Sequence, residues 1–380
     1  MTVMQVQIGN LFLFAATIGL VFTHTASSQT SAPPVGLTLL VAAGRGWESN
    51  PAFILPAGAD VATLLLAEAM AVERTARTSF SLTARGGAYF FQRLTSQSRF
   101  TNEIAADGTR RFSARWNGSL RASMQTSRSS DINSSDDRFG LLPLTVSRSR
   151  AGALVTSYLI SPVTSATLEG RYVRVSFDSP LFTPGTSAGG QVGILHRYEE
   201  RSSYGFQYGV EENTILGRSQ PLQTATANWE PLSGSAGVRF TAGVAAVDSG
   251  RNTFRKASAI GSADIHNQIG PGITRIRYAR WAGQAFGLAR VLVTNQVSFG
   301  YETAPLRRTT VLLNADRAWS EDHSDPTFRV VTTNGTLRLR TQLGAGVTIG
   351  SDAFVQKRDQ LLRVSDRGVR VVVGYALTSR

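Results

Sequence analysis

The last stretch of the chain, residues 368–380, alternates in character. Val369, Val371, Val373, Tyr375 and Leu377 share one face of an extended strand, and Arg370, Gly374 and Thr378 share the other. A strand that is apolar on one side and holds an arginine on the other has two open edges, and a closed ring supplies a partner for each. The same period of two recurs upstream, in Leu37, Leu39, Val41 and Ala43; Phe80, Leu82 and Ala84; Leu120, Ala122 and Met124; Tyr204, Phe206, Tyr208 and Val210; and Val238, Phe240, Ala242 and Val244. Later faces are Val291, Val293, Val297, Phe299 and Tyr301; Val311, Leu313 and Ala315; and Val347, Ile349, Ala353 and Val355. The opposite faces carry Arg85, Arg121 with Gln125, Gln207, Arg239 with Thr241, Gln296 with Ser298, and Asp352. Turning such an arginine to lipid at mid-membrane would cost roughly 2 to 4 kcal/mol, which selects one orientation. From Val35 onward about eighteen segments reach the ~9 to 11 residues that a tilted strand needs to cross a bilayer. The pattern predicts an all-β fold, a single transmembrane antiparallel up-and-down β-barrel of about 18 strands, with about 16 as the alternative.

The breaks between segments come in two kinds. One set is short: Thr75-Ala76-Arg77, Asn117-Gly118, Ser161-Pro162, Arg201-Ser202-Ser203, Ser233-Gly234-Ser235, Gly270-Pro271-Gly272, Ala304-Pro305 and Gly344-Ala345-Gly346. The other is longer: Asn50 to Ala59, Ser127 to Pro143, Asp178 to Gly189, Ser320 to Thr327 and Leu361 to Asp366. Bacterial barrels have short periplasmic turns and longer outer loops, and the two sets alternate in that phase. Three segments read less cleanly. Val61 to Val72 is almost wholly apolar around Glu68 and is open to a short helix. Between Leu168 and Phe177 the apolar parity slips from Leu168 and Tyr172 to Val173, Val175 and Phe177, as a β-bulge would produce. Ile273 to Phe286 mixes in Arg275, Arg277 and Arg280.

Composition agrees with a wall that has one apolar and one wet face. Charged residues are 17%, below the roughly 25% of soluble domains, while mean hydropathy stays near zero. Cysteine is absent, which removes disulfides, thiolate metal sites, a cysteine nucleophile and a lipidated cysteine. The net charge of +13 is almost all arginine, the only lysines being Lys256 and Lys357. Arginines spread singly along strands do not make a nucleic-acid footprint; they suit phosphate or carboxylate in lipopolysaccharide or an anionic solute. Arg85, Arg121, Arg171, Arg239, Arg338, Arg340 and Arg370 are the candidates for the lumen wall, with Glu169, Glu211, Glu302 and Asp352 as candidate cross-strand partners. Trp47, Trp116, Trp229 and Trp319 lie beside the breaks and are candidate membrane-interface aromatics, whereas Trp281 sits further in.

At the start, Ile8 to Phe22 is an apolar run of signal-peptide length, without a preceding Lys or Arg, and Ala26-Ser27-Ser28 offers small residues for cleavage. The expected organisation is a signal peptide over residues 1–28, a periplasmic lead-in over 29–34 and the barrel over 35–380.

Catalytic chemistry finds little support. Asp264 and His266 share a strand face, as an Asp-His pair that activates water would, but the one adjacent carboxylate pair, Asp136-Asp137, falls in an outer loop and His266 near a periplasmic turn. None of His196, His266 and His323 has a serine two positions on, the spacing of outer-membrane phospholipases. The run Glu321-Asp322-His323-Ser324-Asp325 has hard ligands for a divalent cation, yet a charged outer loop needs none. No phosphate-cradling Gly-rich loop is present. The expectation is no enzyme, no metal and no cofactor.

Gly46-Trp47-Glu48-Ser49-Asn50, read as the first outer loop, resembles the Gly-aromatic-acidic-Ser-Asn opening of outer-membrane porins of the beta-barrel porin 2 type, some associated with exopolysaccharide systems. Leu159-Ile160-Ser161-Pro162-Val163-Thr164 is similar in its strand-turn-strand rhythm. The chain departs from that group by ending Leu377-Thr378-Ser379-Arg380 where an aromatic residue normally completes the assembly signal; Tyr375 is the substitute. The expected function is porin-like passage of small hydrophilic or anionic solutes across the outer membrane, with a loop-occluded scaffold or polysaccharide-export accessory as the alternative. The expected partners are outer-membrane lipid and lipopolysaccharide, the barrel-assembly machinery, and an anionic solute or polysaccharide.

Overall fold

The computed structural model describes residues 36–379 apart from 51–57, 129–145, 181, 216, 233–235, 248–255, 286–289, 323–324, 326, 345 and 360–362. The expected signal peptide and lead-in therefore lie outside the described residues, as does most of the longest loop. The strands are β1 (Gly36–Glu48), β2 (Asp60–Arg74), β3 (Thr78–Phe91), β4 (Arg99–Arg111), β5 (Trp116–Arg128), β6 (Val146–Ser161), β7 (Thr164–Phe177), β8 (Gly185–Glu199) and β9 (Ser202–Ile215). They continue with β10 (Arg218–Leu232), β11 (Gly237–Val247), β12 (Lys256–Ile269), β13 (Gly272–Ala285), β14 (Arg290–Leu306), β15 (Thr309–Asp322), β16 (Arg329–Gly344), β17 (Val347–Asp359) and β18 (Arg363–Ser379).

Each strand pairs antiparallel with its neighbours in sequence, and β1 pairs with β18, which closes an 18-stranded up-and-down barrel. The closing register runs from Leu37↔Ser379 to Glu48↔Gly368. Side chains alternate, so the rows of large exposed apolar residues, such as Leu154 at 57% and Phe206 at 55%, clothe the outside and the opposite rows face the interior. Soluble proteins rarely expose a large contiguous apolar patch; hydrocarbon is the solvent that makes an apolar belt around the whole girth stable. The chain is a transmembrane β-barrel.

The tight closure depends on glycine, at Gly44 on β1 and, against the Trp47 carbonyl, at Gly368 on β18. A Cβ at Gly44 on β1 would overlap the carbonyl oxygen of Val371 on β18. Gly44→Ala is expected to lower stability by roughly 1 to 3 kcal/mol through overpacking, seen as a lower urea midpoint with the β-type circular dichroism retained; an unchanged midpoint would mean that the two strands part without cost.

Several local expectations are corrected. Val61 to Val72 is strand throughout, within β2; it lacks alternation because Leu64 and Leu66 also occupy the interior row, beside Ala62 and Glu68. The stretch Leu168 to Phe177 has no bulge: β7 runs in continuous register, and Val173, Val175 and Phe177 turn inward near the end of the strand. Register shifts occur instead at Leu159/Ser161, Arg197/Glu199, Trp229/Leu232, Thr303/Leu306 and Gln342/Gly344, all beside short turns. Asn117-Gly118 and Ala304-Pro305 lie inside β5 and β14, and the reversals fall at 112–115 and 307–308. Gly46, Trp47 and Glu48 belong to β1 rather than to a loop. The ends of β3, β9, β11 and β13 and the starts of β4, β10, β12 and β14 lie at the rim opposite the short turns.

The wall has a seam. β12 and β13 pair only from Gly261↔Arg280 to Ile269↔Gly272. Beyond that, Lys256 to Ile260 stay with β11 and Trp281 to Ala285 stay with β14. Val291 of β14 packs with Leu222, Ala245 and Val247, interior-row residues of β10 and β11, while Ile260 and Ala282 flank the cluster. The end of the β13–β14 hairpin thus leans across the seam onto the inner surface of β10–β11, burying Val291 to Asn295 on both faces.

Candidate functional site

The interior rows carry ion pairs between strands, all but one of those named here between direct neighbours. Arg85 on β3 lies between Glu68 on β2 (3.2 Å) and Glu103 on β4 (3.7 Å). Arg121 on β5 pairs with Asp107 on β4, and Arg171 on β7 pairs with Glu211 on β9, which also accepts a hydrogen bond from Ser187 at 2.6 Å. Arg239 pairs with Glu230 at 2.9 Å, Arg338 with Asp352 at 2.9 Å, and Arg370 with Glu48 at 2.8 Å. Of the seven arginines singled out in the sequence, six meet a carboxylate; Arg340 meets none among the described residues. Glu211 and Asp352 serve as expected, whereas Glu169 and Glu302 hold no arginine among the described residues. The reason is register: Arg85, Arg121 and Arg338 meet the residue directly across the sheet, Arg370 meets a diagonal neighbour and Arg171 reaches over Gly189 of β8, and sequence alone does not fix any of these positions.

The narrowest chemistry sits at the rim with the longer connections. Glu48, last in β1, takes Arg370 on Oε1 at 2.8 Å and Arg99, first in β4, on Oε2 at 3.5 Å. The side chains are 2%, 12% and 4% exposed, so one carboxylate serves two buried guanidiniums. Aromatic faces complete the cage: Arg99 lies 4.7 Å from the Tyr89 centroid and 5.2 Å from that of Phe91, and Arg370 lies 4.7 Å from that of Phe354 and 5.3 Å from that of Tyr89. Ala62, Leu64, Tyr89 and Phe91 form the apolar floor around it. Two carboxylates fix the adjoining connections. Asp60 accepts from the backbone N–H groups of Val61, Arg93 and Leu94, and Asp366 from Asn50 N–H at 2.8 Å and the Ser49 hydroxyl at 3.1 Å. Glu48 and Arg99 were not among the candidate residues. The available signal was Tyr89 and Phe91 falling on the same parity as Arg85, two aromatics on the wet face.

His266 Nδ1 is 4.0 Å from Asp264 Oδ1, which Arg275 Nε also approaches at 3.8 Å, and a Cβ at Gly237 across the sheet would overlap the His266 ring. The imidazole thus covers a glycine backbone. Asp136 and Asp137 lie outside the described residues. In the acidic run, Arg290 donates to both Asp322 and Asp325 and stacks on Phe328 at 4.4 Å, putting a guanidinium where a cation would stand; His323 lies outside the described residues. The Thr327 hydroxyl, opposed by desolvation and assisted by Arg290, holds the Asp325 carboxyl below its ordinary value.

Trp116 and Trp229 lie on outer rows near the short-turn rim, Trp116 donating to the Thr156 hydroxyl at 2.6 Å and Trp229 to the Tyr198 hydroxyl at 3.3 Å. Phe112, Tyr204 and Phe240 continue that aromatic line. Trp47 and Trp319 are on outer rows toward the opposite rim. Trp281 falls on the interior row of β13, in the part that leaves β12.

No protein-family model matches this chain, and no curated protein matches it. Among solved structures it is similar to the outer membrane protein OpdK from Pseudomonas aeruginosa, with 12% identity over 90% of this chain and 99% of that one and a TM-score of 0.49. Acinetobacter baumannii OccAB4 is similar at 8% identity, 92% and 99% coverage and a TM-score of 0.49. Pseudomonas aeruginosa OccK2 in complex with glucuronate is similar at 13% identity, 91% and 98% coverage and a TM-score of 0.48. The barrel itself is fixed by this chain's own register.

Proposed function

We propose that this protein is an outer-membrane channel through which small hydrophilic solutes pass, with carboxylate- or phosphate-bearing solutes preferred. The observation that carries the reading is the state of three interior arginines: Arg85, Arg121 and Arg239 are each held by a carboxylate yet keep the guanidinium in water, with side-chain exposures of 56%, 75% and 61%. Held donors arrayed along a wall can pass an anion from one to the next. Because carboxylates alternate with them, the anion preference is modest. Arg340 is the cation of the set without a counter-charge among the described residues, and the aromatic residues Trp47, Trp116, Trp229 and Trp319 anchor the barrel at the two interfaces.

Planar-bilayer recording under a salt gradient tests this. The expected result is stable conductance steps with a reversal potential on the anion side, reduced in the presence of glucuronate or vanillate, which serve as carboxylate probes. Arg340→Gln should shift the reversal potential toward zero. Steps that are cation-selective would sink the reading. Insertion without conductance would favour a second reading, an occluded barrel serving as scaffold or accessory to polysaccharide export, as its resemblance to exopolysaccharide-associated barrels suggests. That reading draws on the inward lean of the β13–β14 hairpin and the buried Glu48 cage.

A further inference from the structure

Arg148, Arg150 and Arg174 stand on an outer row, the row otherwise given to Leu154, Leu168 and Tyr172. Arg150 on β6 and Arg174 on β7 are direct register partners. Two guanidinium groups therefore share one outward-facing spot with their Cα atoms about 5 Å apart, an arrangement that destabilises a strand pair when nothing neutralises it. Arg148 gives Nη2 to Asp178 Oδ1 at 3.0 Å. Neither Arg150 nor Arg174 meets a carboxylate among the described residues, and their other register partners on this row are Met124 and Thr186. Both arginines are exposed.

Height decides what can neutralise them. Arg150 is near the start of β6 and Arg174 near the end of β7, at the rim with the longer connections. On both strands the apolar residues Leu154, Leu168 and Tyr172 lie on the side toward the short turns. The pair stands where the apolar belt ends, at the depth where lipid headgroups begin, and it faces away from the lumen. We propose that Arg150 and Arg174, with Arg148 beside them, bind a phosphate of the lipid A headgroup of lipopolysaccharide. Two planar guanidinium forks on adjacent strands can each give paired N–H donors to one phosphate, which removes their mutual repulsion. The site goes beyond the passage of solutes and rests only on the barrel spanning an outer membrane.

Native mass spectrometry of the detergent-purified, folded barrel mixed with bisphosphoryl lipid A reads the site. Wild-type protein and the interior variant Arg85→Gln are expected to retain lipid A equally, and the double variant Arg150→Gln/Arg174→Gln about tenfold less. Equal retention by the double variant overturns the proposal. So does complete displacement by millimolar inorganic phosphate, which would mark a site for any small anion. Should the double variant fail to show heat-modifiable gel migration, Arg150→Lys/Arg174→Lys replaces it: this pair keeps the charge and loses the forks, and several-fold weaker retention is expected, while undiminished retention overturns the assignment. A barrel that stays soluble without detergent would sink the membrane reading itself, whereas a folded, detergent-dependent barrel indifferent to lipid A sinks this proposal alone.

Discussion

Glu48→Ala is expected to lower the stability of the barrel by roughly 3 to 5 kcal/mol, the cost of leaving buried charge without its partner. The trio of Arg99, Glu48 and Arg370 carries one positive charge in excess, and the ring faces of Tyr89, Phe91 and Phe354 lie against it. Without the carboxylate, two guanidinium groups repel across a space from which water is largely excluded. Both must then find water, by swinging toward the lumen or by loosening the ends of β1, β3 and β4. Glu48→Gln preserves volume and an acceptor oxygen but no charge, so it separates packing from electrostatics and should fall nearer to the alanine variant than to wild type. Urea titration in lipid vesicles, followed by tryptophan fluorescence, checks this. A loss under about 1 kcal/mol for both variants would show that the cage is hydrated and the charges already screened. A second readout is conductance: freeing Arg99 and Arg370 should change the noise and size of the open-channel current, while a merely structural loss elsewhere in the wall would not.

The second large effect concerns the outer face. Leu154 lies at the middle of β6 on an outer row. Leu154→Arg should cost about 2 to 4 kcal/mol, the depth-dependent price of a guanidinium near the bilayer midplane. Gln207→Arg, on an interior row of β9 beside Gly193, should cost less than about 1 kcal/mol, because water and room are both at hand. The contrast between the two is the measurement. Similar losses at both positions, read from refolding into vesicles, would mean that the rows have been assigned to the wrong faces.

Alternation made most of the wall legible in advance. Val369 to Leu377 can be placed face by face without coordinates, and the strand number follows from repeating that reading. It fails where both rows are apolar for different reasons. In β2 the interior row holds Leu64 and Leu66 under the Glu48 cage, and in β14 the residues Val291 to Asn295 are enclosed on both sides by the lean of the hairpin. Turn chemistry also misleads on its own. Asn117-Gly118 is a good turn dipeptide placed mid-strand, while the true reversal at 112–115 is built by Ser113, whose hydroxyl accepts from the N–H groups of Arg115 and Trp116. The interior arginines were recognisable as a class because charge avoids lipid. Their partners were not, since Arg99 and Glu48 are 51 positions apart and Arg370 and Glu48 are 322 apart, separations to which local pattern is blind.

Those separations bear on how the molecule comes into being. Ser49 accepts a hydrogen bond from the backbone of Arg367 across 318 positions, and every bond of the β1–β18 ladder spans a comparable distance. Closing so long a loop adds little entropy beyond a shorter one, since the cost rises only with the logarithm of length. It does impose an order of events. Hairpins can zip locally and early, but β1 must wait with an unsatisfied edge until the final strand arrives, and an unsatisfied edge is a template for any passing strand. The slow and hazardous moment in the life of this protein is therefore the interval before its two ends meet.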